Sequence, residues 1–282
     1  MSFTTRFAPS PTGPLHLGHA YSALLANDMA RATQGRYLLR IEDIDQSRAR
    51  PQWEAQIYDD LRWLGLRWPE PVMRQSDRMA RYGAALDRLA AIGLSYPCRC
   101  RRGDIEAAAG APQEGVPKFG PDGRIYPGTC RSRPMADAGP GDVIRLNMER
   151  ATHALPALGF TETGPAHSGH HALSRDHLCR AVGDIVLMRR QMGGSYHLSV
   201  VVDDADQGIT HVVRGEDLFG ATQIHVLLQH LLGLPTPTYH HHRLIRDAAG
   251  KRLAKRDDAR AISKYRSEGA TPEDIRRMVG LG

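Results

Sequence analysis

The apolar positions begin with a short β-like run over 3–7, which Pro9-Ser10-Pro11-Thr12-Gly13-Pro14 breaks. Leu15, Ala20, Ala23, Leu24 and Ala30 then fall at helical spacing, so the pattern predicts a helix over 15–34. Arg36 to Ile41 (RYLLRI) reads as a compact second strand. Strand, Pro/Gly loop, helix and strand make a βαβ unit of about 35 residues. Residues 51–94 read as helical throughout, with Leu61, Leu64, Leu86, Leu89 and Ile92 as apolar stripes and Gly93 as a C-cap. β-like runs return at 143–148, 185–189, 196–202 (YHLSVVV), 209–214 and 239–245. A helical pattern over 222–232 separates the last two, and a final helix runs from an N-cap at Thr271 through Val279. Strands alternating with helices predict a doubly wound, Rossmann-type parallel α/β sheet.

One stretch breaks this alternation. Residues 96–141 are rich in Gly, Pro and Arg and poor in large aliphatics, so they bury little surface and need a staple. The expected organisation is therefore a first half of the core over 1–95 and an insert over 96–141. A remainder of the insert follows over 142–183, then a second half of the core over 184–245 and a basic loop with a short helical tail over 246–282.

Composition changes this picture only modestly. The 282 residues suffice for one substantial core plus an insert, and 41% of them are hydrophobic. No apolar run reaches the roughly 18 residues of a membrane helix. The polar start from Met1 to Arg6 lacks the charged-then-apolar order of a secretion signal, so a cytoplasmic enzyme is expected. The formal net charge of +6 suits an anionic partner but also an ordinary Arg-rich protein.

The chemistry concentrates at the first strand-to-helix turn, where Pro9 to Pro14 runs into Leu15-His16-Leu17-Gly18-His19. A helix N-terminus offers unpaired N–H groups and a positive dipole end, which favour phosphate. His16 and His19 lie three apart, hence on one face, and Gly18 leaves room for a flat base or ribose. The same letters could cap a helix with surface histidines; the Pro-Ser-Pro-Thr-Gly prefix favours the phosphate reading. Near the other end, Gly250-Lys251-Arg252-Leu253-Ala254-Lys255-Arg256 is a cationic loop able to neutralise a leaving pyrophosphate.

Three of the four cysteines, Cys98, Cys100 and Cys130, fall close together, and with no secretion signal they read as metal ligands before a disulfide. Thiolates suit Zn²⁺. Tyr126, four residues before Cys130, is one possible fourth ligand. Cys179 sits in a helical pattern and reads as a small core residue. Strand alternation splits His240-His241-His242 across two faces, so no shared metal is expected there.

Together these motifs resemble the class I aminoacyl-tRNA synthetases, with HLGH in place of their HIGH signature and RLAKR in place of KMSKS. Arg6-Phe7-Ala8-Pro9-Ser10-Pro11-Thr12-Gly13, Arg40-Ile41-Glu42-Asp43-Ile44-Asp45 and Arg214-Gly215-Glu216-Asp217-Leu218 are similar to the glutamyl-tRNA synthetase group. The resemblance covers about residues 3–260. The short region after Lys255 and the Cys-x-Cys with Tyr-x-x-x-Cys resemble the family that attaches glutamate to queuosine in the anticodon of tRNA(Asp).

That resemblance implies ATP with Mg²⁺, L-glutamate and queuosine-containing tRNA(Asp) as substrates and partners, with no membrane and no obligate protein partner. It implies that Arg6, Ala8 and Ser10 line the glutamate pocket and that Glu42 holds the α-amino group. Tyr196 would line the pocket and Arg214 would pair with a carboxylate. His16, Gly18, His19 and Lys255 would bind ATP, with the two histidines and the lysine catalytic. One structural zinc is implied on Cys98, Cys100, Tyr126 and Cys130. Arg252 keeps the charge of the family's first loop lysine, whereas Ala254 lacks the family's serine hydroxyl. Two other readings stay open: a short enzyme charging the tRNA 3′ end, and a non-catalytic zinc-stabilised RNA-binding module.

Overall fold

The computed structural model describes residues 2–108, 117–190, 192–246 and 260–282. The chain opens as expected, with β1 (Thr4–Phe7), α1 (Leu17–Ala32) and β2 (Arg36–Ile41). β1 and β2 pair in parallel, Thr4 opposite Arg36 through Phe7 opposite Leu39. The return into β2 requires Gly35, because a Cβ there would lie 2.3 Å from the Phe3 carbonyl oxygen.

The predicted long helix over 51–94 is instead two helices, α2 (Pro51–Trp63) and α3 (Met79–Ala91), with the short strand β3 (Met73–Arg74) between them. Gly65 takes a left-handed conformation at φ 81°, and Pro69 and Pro71 supply no N–H, so a helix cannot run through. The apolar stripes on either side were real and belong to different helices. β3 extends the parallel sheet beyond β2.

The middle of the chain supplies β4 (Ser95–Cys98), α4 (Arg102–Ala108), β5 (Phe119–Gly120), β6 (Gly123–Arg124), β7 (Val143–Leu146) and α5 (Met148–Ala151). β8 (Gly159–Glu162), β9 (Gly169–Ala172), α6 (Arg175–His177) and β10 (Val186–Met188) follow. β4 and β10 flank β7 in an antiparallel sheet, and β5 pairs with β6. β8 leaves this region to join the edge of the main sheet and carries β9 with it.

The second half provides α7 (Tyr196–Asp206), β11 (His211–Gly215), α8 (Thr222–Leu231) and β12 (Thr238–His242), and the chain ends in α9 (Ile262–Ser267) and α10 (Pro272–Val279). The stretch read as a strand over 196–202 is therefore helical. Ser195 caps it by accepting from the Leu198 N–H, and eight successive residues from His197 to Asp204 are buried. A helix buried all round shows no 3.6-residue polarity, and the β-branched run Val200–Val202 then imitates a strand.

β11 and β12 pair in parallel, and β12 pairs in parallel with β8. β1 meets the start of β11, where the Thr210 N–H donates to the Thr4 carbonyl (3.0 Å) and the Thr4 N–H donates to Thr210 Oγ1 (2.9 Å). The order is thus β3-β2-β1-β11-β12-β8-β9, and its direction of growth reverses between β1 and β11. The crevice beyond the C-terminal ends of these two strands is where such sheets bind ligands. One apolar cluster packs α1 and α2 with the C-terminal helices, and a second packs α3, α7 and α8 with the β7 sheet. Among the described residues no helix is long and apolar enough to cross a membrane.

The last helix is built as read. Thr271 and Asp274 form a capping box, Gly280 terminates the helix at φ 78°, and Ile275 and Val279 bury against the first-half cluster. Arg276 clamps Asp28 of α1 with bonds of 2.7 and 2.8 Å. Because Ile275 is fully buried, Ile275→Ala should cost about 2–5 kcal/mol, read as a lowered urea midpoint with an unchanged slope.

Candidate functional site

The loop after β1 is tied down at two points: the Glu42 N–H donates to the Pro9 carbonyl and the Arg50 N–H to the Pro11 carbonyl, both at 3.0 Å. Ala8 is half-buried at the end of β1, and the Ser10 carbonyl accepts from the Thr12 N–H at 2.9 Å. The loop delivers His16 to the N-cap of α1.

The two histidines cap that helix themselves. The Gly18 N–H donates to His16 Nδ1 and the His16 N–H donates to His19 Nδ1, each at 3.1 Å, and the rings lie 3.8 Å apart. With both Nδ1 atoms accepting, each neutral ring carries its proton on Nε2. The two protonated nitrogens belong to rings tilted at 37° to one another beside a helix N-terminus. Gly18 leaves room for the His16 ring, since a Cβ there would press on His16 Cε1 at 3.0 Å. Lys255, with Arg252 and Ala254, lies outside the described residues. After this stretch the chain returns beside the histidines: Ala261 bridges His16, and the Ile262 N–H donates to the Leu15 carbonyl at 2.9 Å.

Across the crevice a buried charge cluster joins the two halves. Arg6 binds Asp204 of α7 through Nε (2.8 Å) and Nη2 (3.2 Å). Arg40, fully buried, donates to the same carboxylate at 2.7 Å and to Glu42 at 3.1 Å. Burial alone would raise the Asp204 pKa, but Arg6 and Arg40 hold it below the usual carboxylate range. For Glu42, burial prevails over Arg40 and Arg6 and its carboxyl is pushed up. Tyr196 is half-buried beside His197 and His225, with ring centroids at 5.4 and 5.6 Å. Burial also raises its phenol, with Arg214 opposing and Glu42 adding to the shift. Groups from β1, β2, α7 and β11 therefore face one space.

Arg214, at the end of β11, differs from Arg6 and Arg40, which are buried to a similar depth. It donates to His241 Nε2 (2.9 Å), His225 Nδ1 (3.0 Å), Thr222 Oγ1 (2.7 Å) and the Leu218 carbonyl (3.3 Å). Among the described residues no carboxylate lies within ion-pair distance of it. It is a buried cation surrounded by neutral acceptors. His241 in turn reaches Glu162 Oε2 at 2.5 Å, and burial together with Arg214 lowers its pKa to about 4. The three consecutive histidines part as alternation requires: His240 meets Thr163, His241 meets Glu162 and Arg214, and His242 meets Ser22.

Several of these residues escaped the sequence reading. Asp203 and Asp204 were visible as two carboxylates directly after three valines, a burial pattern that demands cationic partners. Asp203 binds Gln75, Arg78 and Tyr82. His225, His197 and Glu162 gave no local signal, since each is defined by partners far along the chain.

In the insert, the sulfurs of Cys98, Cys100 and Cys130 lie within 4.8 Å of one another. Tyr126 Oη is 3.3 Å from Cys98 Sγ and 3.4 Å from Cys100 Sγ, and it accepts from the Cys130 N–H at 2.9 Å. Arg145 places its guanidinium 4.0 Å from the Tyr126 ring centroid, a cation–π contact. Three thiols and one phenol converge with the spread of a tetrahedral soft-metal site. Despite burial, bonds from Tyr126 and the Arg99 backbone hold the Cys130 thiol down at about 7, whereas burial pushes Cys100 up to about 11. Burial also pushes the Tyr126 phenol up, which a bound divalent cation would reverse. Cys179 stands apart, 3.4 Å from Thr152 Oγ1.

Comparison with known proteins places this geometry in a lineage. Residues 2–282 match the catalytic domain of the class I tRNA synthetases for E and Q. A glutamyl-Q tRNA(Asp) synthetase of Rhodobacter capsulatus is 65% identical over 98% of this chain and 99% of its own length. Another, from Verminephrobacter eiseniae, is 41% identical over 99% of this chain and 90% of its own length. A crystal structure of a glutamate tRNA ligase from Elizabethkingia meningosepticum, in complex with its amino acid, superposes over the whole chain with a TM-score of 0.74 and 26% identity. The present chain spans 61% of that structure.

The charge cluster makes its own prediction. Asp204→Asn leaves Arg6 without its carboxylate partner and removes one from Arg40, so about 3–5 kcal/mol of stability should be lost in denaturant unfolding. The native pKa of Asp204 lies below its ordinary value of 3.8, so its contribution is present above about pH 4 and fades as the pH falls further. The gap between variant and native protein should narrow in that acid range.

Proposed function

This chain belongs to the glutamyl-Q tRNA(Asp) synthetases, within the class I E and Q tRNA synthetase family, and from that premise we propose how its residues perform the reaction. The enzyme activates glutamate with ATP and transfers the glutamyl group to queuosine of tRNA(Asp). An α-carboxylate oxygen of glutamate forms a bond to the α-phosphorus of ATP, and pyrophosphate leaves. A cyclopentene hydroxyl of queuosine then attacks the acyl carbonyl, and AMP leaves. We place this work in the cytoplasm, with Mg²⁺ accompanying the ATP.

The observation that carries the glutamate assignment is Arg214, a buried guanidinium without an anionic contact among the described residues. Such a cation is costly until an anion arrives, so it selects a substrate carboxylate. Arg6 is already neutralised by Asp204 and shapes the pocket with Ala8 and Ser10 rather than supplying a second free charge. Glu42, its carboxyl raised by burial, regains a favourable ionised state when the substrate ammonium docks against it. Tyr196 walls the pocket. The Nε2–H groups of His16 and His19 donate to phosphate oxygens as charge develops there, with Lys255 added at the transition state. Positioning and electrostatics suffice, and no covalent enzyme intermediate is needed.

The Cys98, Cys100, Tyr126 and Cys130 set fits one zinc ion, which would supply the folding free energy that an insert poor in aliphatic residues lacks. Metal analysis should find about one zinc per chain. Cys98→Ser should reduce that content and lower the melting temperature; an unchanged metal content would remove Cys98 from the ligand set.

The transfer is tested with labelled glutamate, ATP and tRNA(Asp) with or without queuosine. Label should appear only on the queuosine-containing RNA and remain with the anticodon fragment after nuclease cleavage. Label on the 3′-terminal fragment irrespective of queuosine would establish a charging enzyme instead. Absence of glutamate-dependent ATP–pyrophosphate exchange would leave an RNA-binding module. Lys255→Ala should lower exchange at least about a hundredfold with the fold retained.

A further inference from the structure

The surroundings of Arg214 form one continuous hydrogen-bonded chain whose protons can all be assigned. A guanidinium only donates and does not deprotonate, so His225 Nδ1 and His241 Nε2, which receive its N–H groups, are both acceptors. Each ring is neutral and carries its proton on the other nitrogen. His241 Nδ1–H therefore donates to Glu162, and His225 Nε2–H donates to His197 Nδ1 at 3.1 Å. His197 must then hold its proton on Nε2, which faces Asp122 Oδ1 at 3.2 Å. The chain reads Asp122, His197, His225, Arg214, His241, Glu162, with a carboxylate at each end and the cation in the middle.

Both ends are anchored. Glu162 accepts backbone N–H groups from Gly164 (2.6 Å) and His241 (2.8 Å), and Asp122 accepts that of Val186 (3.2 Å). The carboxylates keep the intervening imidazoles oriented without touching the guanidinium. Nε, one Nη1 hydrogen and both Nη2 hydrogens of Arg214 are committed, to His241, His225, Thr222 and Leu218. One Nη1–H is left among the described residues. Had a carboxylate stood at the place of His225, Arg214 would be paired as Arg6 is, and its attraction for a substrate anion would be quenched.

We propose that His225 is a positioning residue for substrate recognition, backed by His197 and Asp122: it orients Arg214 through a neutral acceptor, keeping its charge available to the substrate carboxylate. The proposal rests on Arg214 binding that carboxylate.

The test is steady-state ATP–pyrophosphate exchange with the full-length protein, varying glutamate and ATP separately. His225→Leu removes the acceptor and should raise the KM for glutamate about 10- to 100-fold, the usual worth of a hydrogen bond to a charged group, with kcat and the KM for ATP within about threefold. His225→Asn offers a carbonyl oxygen near the position of Nδ1 and should recover most of the loss. Asp122→Asn keeps an oxygen for the Val186 N–H and should raise the glutamate KM by about three- to tenfold, since it weakens the orientation of His197. Unchanged glutamate KM in His225→Leu, or an Asn variant no better than Leu, would overturn the proposal. If the Leu variant does not fold, an unaltered glutamate KM in Asp122→Asn overturns it. Wild-type protein without exchange would instead overturn the activation reading itself.

Discussion

The Asp204 carboxylate holds the molecule together where its function requires it. It stands on α7 in the second half of the chain and accepts from Arg6 on β1 and Arg40 on β2, both in the first half. All three groups are buried, and a buried charge cannot be left alone without a cost of several kcal/mol. The halves must therefore close in one register, with the ends of β1 and β2 facing α7. That register sets the distance between the histidine-capped helix start and the arginine at the end of β11. The two apolar clusters supply bulk stability but lie largely to either side of this junction, and neither would by itself fix the alignment.

The same cluster explains why Arg6, Arg40 and Arg214 do different things. Arg6 and Arg40 share carboxylates and are structural cations. Arg214 is buried to a similar depth yet is contacted by imidazoles, a hydroxyl and a carbonyl. A hydrogen bond to a neutral acceptor fixes direction without cancelling charge, so orientation and electrostatic demand are separated in this one residue. His16 and His19 follow the same rule: each accepts a backbone N–H through Nδ1, and that fixes Nε2 as the nitrogen carrying the proton.

The sequence reading recovered most of what local chemistry determines. β2, the Pro-rich turn, the HLGH helix start and the Thr271 cap needed only neighbours along the chain. The parallel sheet followed from their alternation. Failures arose where tertiary burial removed the local signal. The helix over 196–206 is covered on all sides, so Val200–Val202 carried a strand-like composition into a helix. The break at Gly65, Pro69 and Pro71 was legible and was outweighed by apolar spacing on both sides. The partner of Arg6 was not legible, because sequence shows charge but not what it faces; Asp204 lies 198 residues from Arg6.

The insert is more than an appendage to this arrangement. Asp122, between β5 and β6, accepts from His197 at the foot of α7, while its other oxygen accepts the Val186 N–H of β10. Gly120, two residues earlier, packs so closely on Ala181 that a Cβ would lie 2.2 Å from the Ala181 carbonyl oxygen. The β5–β6 turn is thus held by backbone contact with Ala181 and by one carboxylate that reaches α7 and β10. Arg190 reaches back from the core side to the carbonyls of Arg99 and Cys100, beside the cysteine cluster. Order at that cluster and order at Asp122 are therefore linked through a few short connections. A loosened β5–β6 turn would reach His197 first, then His225, and then Arg214 along the same hydrogen bonds. Distance along the chain therefore does not separate Asp122 from Arg214, which is held on its other side by His241, Thr222 and Leu218.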